Sequence, residues 1–223
     1  MSKRNFWDWF ATILFGICCV IFVWTFALSV PIYCRFIYYY KINEISAESG
    51  YGTQTIKESY DEVLDYLTLH KEFGTGELVC SDSAKAHFAD CQKLFDLNLG
   101  LLVASAVCIV ILSLLAATKK ITLKKVGKFN VWFYSVIVAF CLPLIFGIVA
   151  AIDFEWAFVL FHHILFPGKT NWQFDPAADQ IINILPEPYF LSCGIVIFAT
   201  ILAIVVGVVI WEIVRARKIK SDK

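Results

Sequence analysis

Four stretches of this chain are uncharged and apolar: residues 10–33, 97–118, 129–152 and 188–211, each 22 to 24 residues long. At ~1.5 Å per residue each makes a helix of roughly 33–36 Å, enough to cross a hydrocarbon core ~30 Å thick with some tilt. The first run faintly imitates a cleaved signal peptide through Ala27-Leu28-Ser29. It is longer than a signal core of about 7–15 residues, and Pro31 follows the supposed cut, so it reads as a retained anchor. Composition agrees. Of 223 residues 59% are hydrophobic and 17% charged, whereas a soluble domain has roughly a quarter of its residues charged. Mean hydropathy is +0.71. Disorder, a coiled coil and a repeat solenoid are excluded, and a water-soluble enzyme is disfavoured.

Formal net charge is zero, yet the charges are sorted by segment. Lys3 and Arg4 precede the first run. Lys119, Lys120, Lys124, Lys125 and Lys128 fill the link 119–128 without any acid. Arg215, Arg217, Lys218, Lys220 and Lys223 follow the fourth run. The positive-inside rule places these three segments in the cytoplasm. The other two are acidic: residues 34–96 carry six Lys/Arg against eleven Asp/Glu, and 153–187 one Lys against five acids. The fold expected is therefore an all-α membrane protein with four transmembrane helices, both termini cytoplasmic. Its divisions are a cytoplasmic N-terminus (1–9), spans at 10–33, 97–118, 129–152 and 188–211, a cytoplasmic loop (119–128) and a cytoplasmic C-terminus (212–223). Segments 34–96 and 153–187 form a small helical extracellular cap. Trp7, Trp9, Trp132 and Trp211 fall at the inner interface and Trp156 and Trp172 at the outer one, where amphipathic rings settle.

Within 34–96, Thr55-Ile56-Lys57-Glu58 has the form of a capping box. A helical stripe follows at Ile56, Tyr60, Val63, Leu64 and Leu67. Ser81, Asp82 or Ser83 caps a second helix that runs into the second span. On it His87, Asp90, Cys91, Leu94 and Asn98 share one face. Within 153–187 a helix is expected up to Pro167-Gly168, with Glu155, Val159 and His162 on one face and His163 about 100° away. Asp175-Pro176 has the form of an N-cap and first-turn proline opening a short helix, so Asp175 and Asp179 read as helix-start residues. Of eight cysteines, Cys18, Cys19, Cys108, Cys141 and Cys193 lie in the spans and Cys34 at a membrane edge; Cys80 and Cys91 lie outside, where a bridge between them is one option.

No glycine-rich phosphate loop, CxxC pair or HExxH motif is present, and the runs hold no charge, which argues against an ion pump. What remains is a set of histidines and acids at the outer lipid–water boundary. His87 and His162 come from different elements, with Asp90 and Glu155 near them in sequence. Histidine is the side chain suited to move protons near neutral pH. The bland reading is a polar tip on an amphipathic helix. A metal site from His87, His162, His163 and Asp90 ranks lower, since no ligand pair has a diagnostic spacing. His70 ends a surface helix, and the lysine link contacts anionic lipid heads. A non-enzymatic four-span adhesion or lipid-binding protein of the claudin type is the main alternative, and a lipid-binding helper subunit a third.

Two blocks carry a family resemblance. The first is Phe161-His162-His163-Ile164-Leu165-Phe166-Pro167-Gly168 with Trp172-Gln173-Phe174-Asp175-Pro176 and Ile184-Leu185-Pro186-Glu187; the second is His87-Phe88-Ala89-Asp90-Cys91. Together they resemble the lipoprotein intramolecular transacylase (Lit) family, whose His-x-x-Asp-Val element is matched with Cys91 in place of valine. The resemblance implies a bacterial cell-membrane enzyme that takes a diacylglyceryl lipoprotein and moves its sn-2 acyl chain to the N-terminal cysteine amine, leaving a lyso-form lipoprotein. It implies a histidine pair, mapped onto His87 and His162, with His163 as the competing choice. Tyr40, Asn98, Asp153, Trp172, Phe174 and Asp175 are expected to hold substrate. No cofactor, metal or nucleic acid is implied; the partners are the lipoprotein and membrane lipid. A free α-amine (pKa ~7.8) losing its proton to an imidazole (~6.5) goes uphill by roughly 1.8 kcal/mol, a gap that desolvation of the ammonium narrows.

Overall fold

The computed structural model describes residues 3–221. The helices are α1 (Lys3–Tyr33), α2 (Phe36–Tyr39), α3 (Ile42–Ser49), α4 (Thr53–Leu69), α5 (Asp82–Ala117), α6 (Val131–Ile152), α7 (Phe154–Leu165) and α8 (Glu187–Ser221), with a 3-10 turn at Gln180–Ile184. Four contain a stretch long and apolar enough to cross a membrane: Asn5–Tyr33, Asp82–Ala117, Val131–Ile152 and Glu187–Arg215. Their residues stay exposed on a scale no water-soluble fold tolerates, with Ile13, Val138, Ile145 and Ile195 all 58–60% accessible. α5 has 36 residues, about 54 Å of helix, far more than a hydrocarbon core needs. Lys85, Asp90, Lys93 and Asp96 fall in its first four turns, and the uncharged apolar part of α5 starts near Leu97. The expected termini 1–9 and 212–223 are largely helical continuations of α1 and α8; Lys223, counted above among the cytoplasmic cations, lies outside the described residues.

The chain divides into two compact units. One comprises residues up to Leu28, Leu99–Gly147 and those from Ile197 onward. Its core is Val23, Ala27, Val136, Ala139, Ile201, Val205 and Val208. Small side chains at Ala27 and Ala139 allow close helix approach, and Trp24 Nε1 donates to the Ala139 carbonyl at 2.9 Å. The lysine-rich link is tied down rather than loose. The Thr122 amide donates to Asp8 Oδ1 at 2.8 Å, the Lys124 amide to Thr12 Oγ1 at 2.8 Å, and Lys124 Nζ lies 3.3 Å from Asp8. A two-residue hairpin, β1 (Lys125–Val126) and β2 (Phe129–Asn130), pairs Lys125 with Asn130 around Gly127, whose φ is +60°. The apolar run begins at Phe129, but Phe129 and Asn130 are strand and the helix starts at Val131.

The second unit comprises Ser29–Asn98 and Ile148–Val196. Its core includes Tyr38, Ile45, Ile56, Tyr60, Val63, Leu64, Leu67, Leu78, Phe88, Ile181, Ile184 and Tyr189, so the α4 stripe read from the sequence is its buried face. Tyr38 stacks on Tyr60 with ring centres 3.6 Å apart and its hydroxyl donates to the Ile184 carbonyl at 2.7 Å. Arg35 bridges Asp61 and Asp65 on α4. The capping box is not formed: α4 begins at Thr53 behind Gly52, which makes no side-chain cap, and Thr55 is already inside the helix. Ser81 does cap α5, its Oγ accepting from the Ala84 amide at 3.1 Å. Asp175 opens a turn, accepting from the Ala177 amide at 2.9 Å, and helical geometry begins only at Gln180. Asp179 instead accepts from the Ser81 amide at 2.8 Å, and the Gln180 amide donates to the Val79 carbonyl at 2.8 Å, stitching residues 79–81 to 179–180.

Candidate active site

α5 and α7 each carry one histidine of the second unit inward. α7 starts where Asp153 accepts from the Trp156 amide at 2.9 Å, a cap that sets its register; it ends at Leu165, just ahead of Pro167, whose ring cannot continue a helix. That register buries Ala157 and His162 and leaves Trp156, Phe161 and His163 outward. His87 and His162 are each 7% exposed, and their ring centres are 5.9 Å apart at 37°. No hydrogen bond joins them. Phe166 lies edge-on to His87 at 4.8 Å, Phe174 does the same at 5.5 Å, and Trp172 stacks on His162 at 4.7 Å and 27°. The result is a pair of imidazoles lined by aromatic side chains.

Each ring has one nitrogen bonded. His162 Nδ1 lies 2.8 Å from the Phe158 carbonyl; a carbonyl only accepts, so the neutral ring carries its proton on Nδ1 and its Nε2 is a free lone pair. His87 Nε2 lies 3.4 Å from Cys91 Sγ, and its Nδ1 is buried with no partner among the described residues. Burial, then the neighbouring His162, push the His87 pKa down to about 4 against the pull of Asp90. Burial likewise lowers His162, against its bond to Phe158. Both rings are therefore mainly neutral at pH 7.

The carboxylates expected beside them do other work. Asp90 makes no hydrogen bond to His87; it accepts from Lys169 Nζ at 2.5 Å, Asn171 Nδ2 at 3.2 Å and Lys93 Nζ at 3.2 Å. These donors hold its pKa down to about 2. The bonds fasten the loop bearing Phe166, Trp172 and Phe174 to α5. Glu155 is exposed. Neither histidine is oriented by an acid; a thiol and a backbone carbonyl take that place. The Cys91 contact was open to discovery from its i, i+4 spacing, whereas nothing in the sequence marks Lys169 and Asn171 as partners of Asp90, some 80 positions away.

Of the residues expected at the site, the structure brings together His87, His162, Trp172 and Phe174. His163 is exposed and meets only the edge of Trp172, at 5.7 Å. Tyr40 is 76% exposed, with its ring 6.3 Å from Phe36. Asn98 is buried but lies ~16 Å along α5 from His87, where its Nδ2 donates to Ser29 Oγ at 2.9 Å. Asp153 and Asp175 shape a helix start and a turn. His70 pairs with Asp96 at 3.0 Å on the surface. Cys80 and Cys91 are free thiols. Among the described residues no group of three or more His, Cys, Asp or Glu is placed to hold a metal ion.

The fold is shared with solved membrane proteins. The in meso structure of the membrane integral lipoprotein intramolecular transacylase Lit from Bacillus cereus matches with a TM-score of 0.83 at 23% identity, covering 96% of this chain and 100% of that one. Two variants of that protein, with a histidine replaced by arginine or by alanine, match with TM-scores of 0.78 at 22% and 23% identity, covering 99% and 98% of this chain and 96% and 97% of theirs. No curated protein sequence matches significantly. The model of the family described as lipoprotein intramolecular transacylase Lit matches residues 13–190, a stretch that contains both buried histidines and the aromatic loop, and the chain therefore belongs to that family.

Proposed function

We propose that this protein moves the sn-2 acyl chain of a diacylglyceryl lipoprotein onto the α-amine of its N-terminal cysteine, and that His87 and His162 carry the proton transfers. The observation that supports it is the pair of buried, neutral imidazoles 5.9 Å apart on separate helices, in a chain of the transacylase family. The amine nitrogen bonds to the ester carbonyl carbon, and that carbon's bond to the sn-2 oxygen breaks. Of the two protons the ammonium nitrogen sheds, one ends on the glycerol oxygen and the other passes to solvent. An ester becomes an amide, so no energy source or external acyl donor is needed. The unprotonated Nε2 of His162 suits the accepting step; the other imidazole serves the leaving oxygen or the oxyanion.

The second demand is geometric. The cyclic transition state runs through the amine, Cα, Cβ, sulfur, two glycerol carbons, the ester oxygen and the carbonyl carbon, a ring that closes poorly when free. Holding the reacting atoms in line supplies effective molarities of ~10⁵–10⁸ M. Trp172, Phe166 and Phe174 are the rigid walls for that, and Trp172 and Phe174 belong to the substrate site in this reading. In this reading both termini lie in the cytoplasm and segments 34–96 and 153–187 outside, with the four spans in the cytoplasmic membrane and the histidines at its outer face, and the sorting of the lysines supports it. An adhesion or lipid-binding role gives no reason to bury two imidazoles together, each with a nitrogen left open.

The test is mass spectrometry of a lipoprotein N-terminus from cells with and without this protein. N-acylated cysteine with one chain lost from glycerol is the expected product. It should vanish in a His87→Ala/His162→Ala variant that folds normally. Unchanged product in that variant, or no N-acylated cysteine with the wild type, overturns the proposal.

A further inference from the structure

Resting on the acyl-transfer reading, we propose that Cys91 is a positioning residue for His87. Its S–H donates to His87 Nε2 and keeps the proton of the neutral ring on Nδ1, making that nitrogen a fixed donor toward an oxygen of the bound ester. Two arrangements fit a 3.4 Å contact between Nε2 and Sγ. Either the thiol donates to the ring or the ring donates to sulfur. The thiol is a weak donor and a weak acceptor alike; the far more basic imidazole lone pair is the better acceptor of the two, and on that ground the first arrangement is the one proposed. Burial pushes the Cys91 thiol up to about 12, so it stays protonated and able to donate. The contact is an i, i+4 pair on α5, which holds both side chains to one helix face.

The consequence falls on the other nitrogen. With Nε2 accepting, Nδ1 bears the proton, and this atom is buried with no partner among the described residues in a ring that is 7% exposed. An orphaned buried donor is costly, and the cost is relieved when an acceptor arrives. The donor sits among Phe166, Phe174 and His162, within the proposed site. The two rings thereby become unlike. His162, bonded through Nδ1 to Phe158, offers a lone pair; His87, bonded through Nε2 to Cys91, offers a proton. A base and a donor facing one ester suit acyl transfer, and in this chain the thiol biases His87 toward the second role. A nucleophilic thiol with a thioester intermediate is a different use of the same residue. The raised thiol pKa disfavours it, because the thiolate is the attacking species.

The experiment uses the full-length protein in lipid nanodiscs with ¹⁵N-labelled histidine. The His87 signals are assigned by their loss in His87→Gln. Wild type and Cys91→Ser should show a protonated Nδ1 and an accepting Nε2. Cys91→Val, close in volume but without a donor, should shift to a mixture or to protonated Nε2. Kinetically, Cys91→Val should lower kcat about fivefold with KM unchanged, and Cys91→Ser should restore most of it. A wild-type His87 protonated on Nε2, or a tautomer unmoved in Cys91→Val, overturns the proposal. So does a Cys91→Ser variant with no activity, which points to the nucleophile. The tautomer readout holds even if no acyl transfer is found, so the two proposals fail separately.

Discussion

Replacing Asp90 by Asn tests whether the aromatic loop is held over the histidines from α5. The Asp90 side chain is 11% exposed and meets Lys169, 47% exposed, and Lys93, 75% exposed, as well as Asn171. Exposed ammonium partners are worth ~0.2–1 kcal/mol each, and one hydrogen bond from a neutral amide about the same. An amide at position 90 still accepts from one donor, so the loss should be about 1–2 kcal/mol. For a chain of this length that shifts Tm by about 2–8 °C. The eight free cysteines suit a thiol-reactive dye that reports unfolding in detergent. Because the loss bears on the loop holding Trp172 and Phe174, kcat/KM should fall by no more than about 5–30-fold. A double-mutant cycle of Asp90→Asn with Lys169→Gln should give a coupling of about 0.5–1 kcal/mol. An Asp90→Asn protein identical to wild type in both Tm and rate refutes the latch. A loss above about 100-fold at unchanged Tm shows that Asp90 acts on the reacting groups instead.

Three further outcomes are expected. His87 keeps its neutral form down to about pH 4 in the fold, while the unfolded chain takes that proton near ~6.5. Its contribution to stability, at most about 3 kcal/mol, is complete above pH 6.5 and is lost as pH falls toward 4; His87→Gln should flatten that part of a Tm-against-pH curve measured by circular dichroism. Trp172, 8% exposed, stacks on His162 and donates from Nε1 to the Lys169 carbonyl at 3.0 Å. Trp172→Phe should therefore keep turnover within about tenfold, and Trp172→Ala should cost about 3–5 kcal/mol in unfolding measurements and abolish turnover. Gly76 has φ +59°, and a Cβ there would meet the fully buried Ser59 Oγ at 2.7 Å; Gly76→Ala should lower Tm by several degrees through about 1–3 kcal/mol of strain.

The site was partly legible. The helical spacing put His162 with Glu155 and Val159 and turned His163 about 100° away, but which of the two faces is buried was left open and was decided by the Asp153 cap and the packing of α7. Carboxylates near in sequence suggested acid–histidine pairs, which proved misleading because Asp90 found cations on a loop 79 residues away. The capping box at Thr55 failed for a related reason. Gly52 lies just before the point where α4 begins, and a motif of four residues does not weigh that alternative.

The sequence by itself determined the elements that lipid and helix geometry dictate: four long apolar helices, the buried stripe of α4, a cap for α5 within residues 81–83 and the stop before Pro167. Hydropathy and the 3.6-residue period act over a few turns, so a linear reading captures them. Only the tertiary structure decided which atom each imidazole nitrogen faces, that Trp172 covers His162, and that Asp90 serves the loop rather than the histidine. Those choices depend on segments far apart in the chain meeting in a buried place, where a polar atom must take whichever partner the crossing supplies.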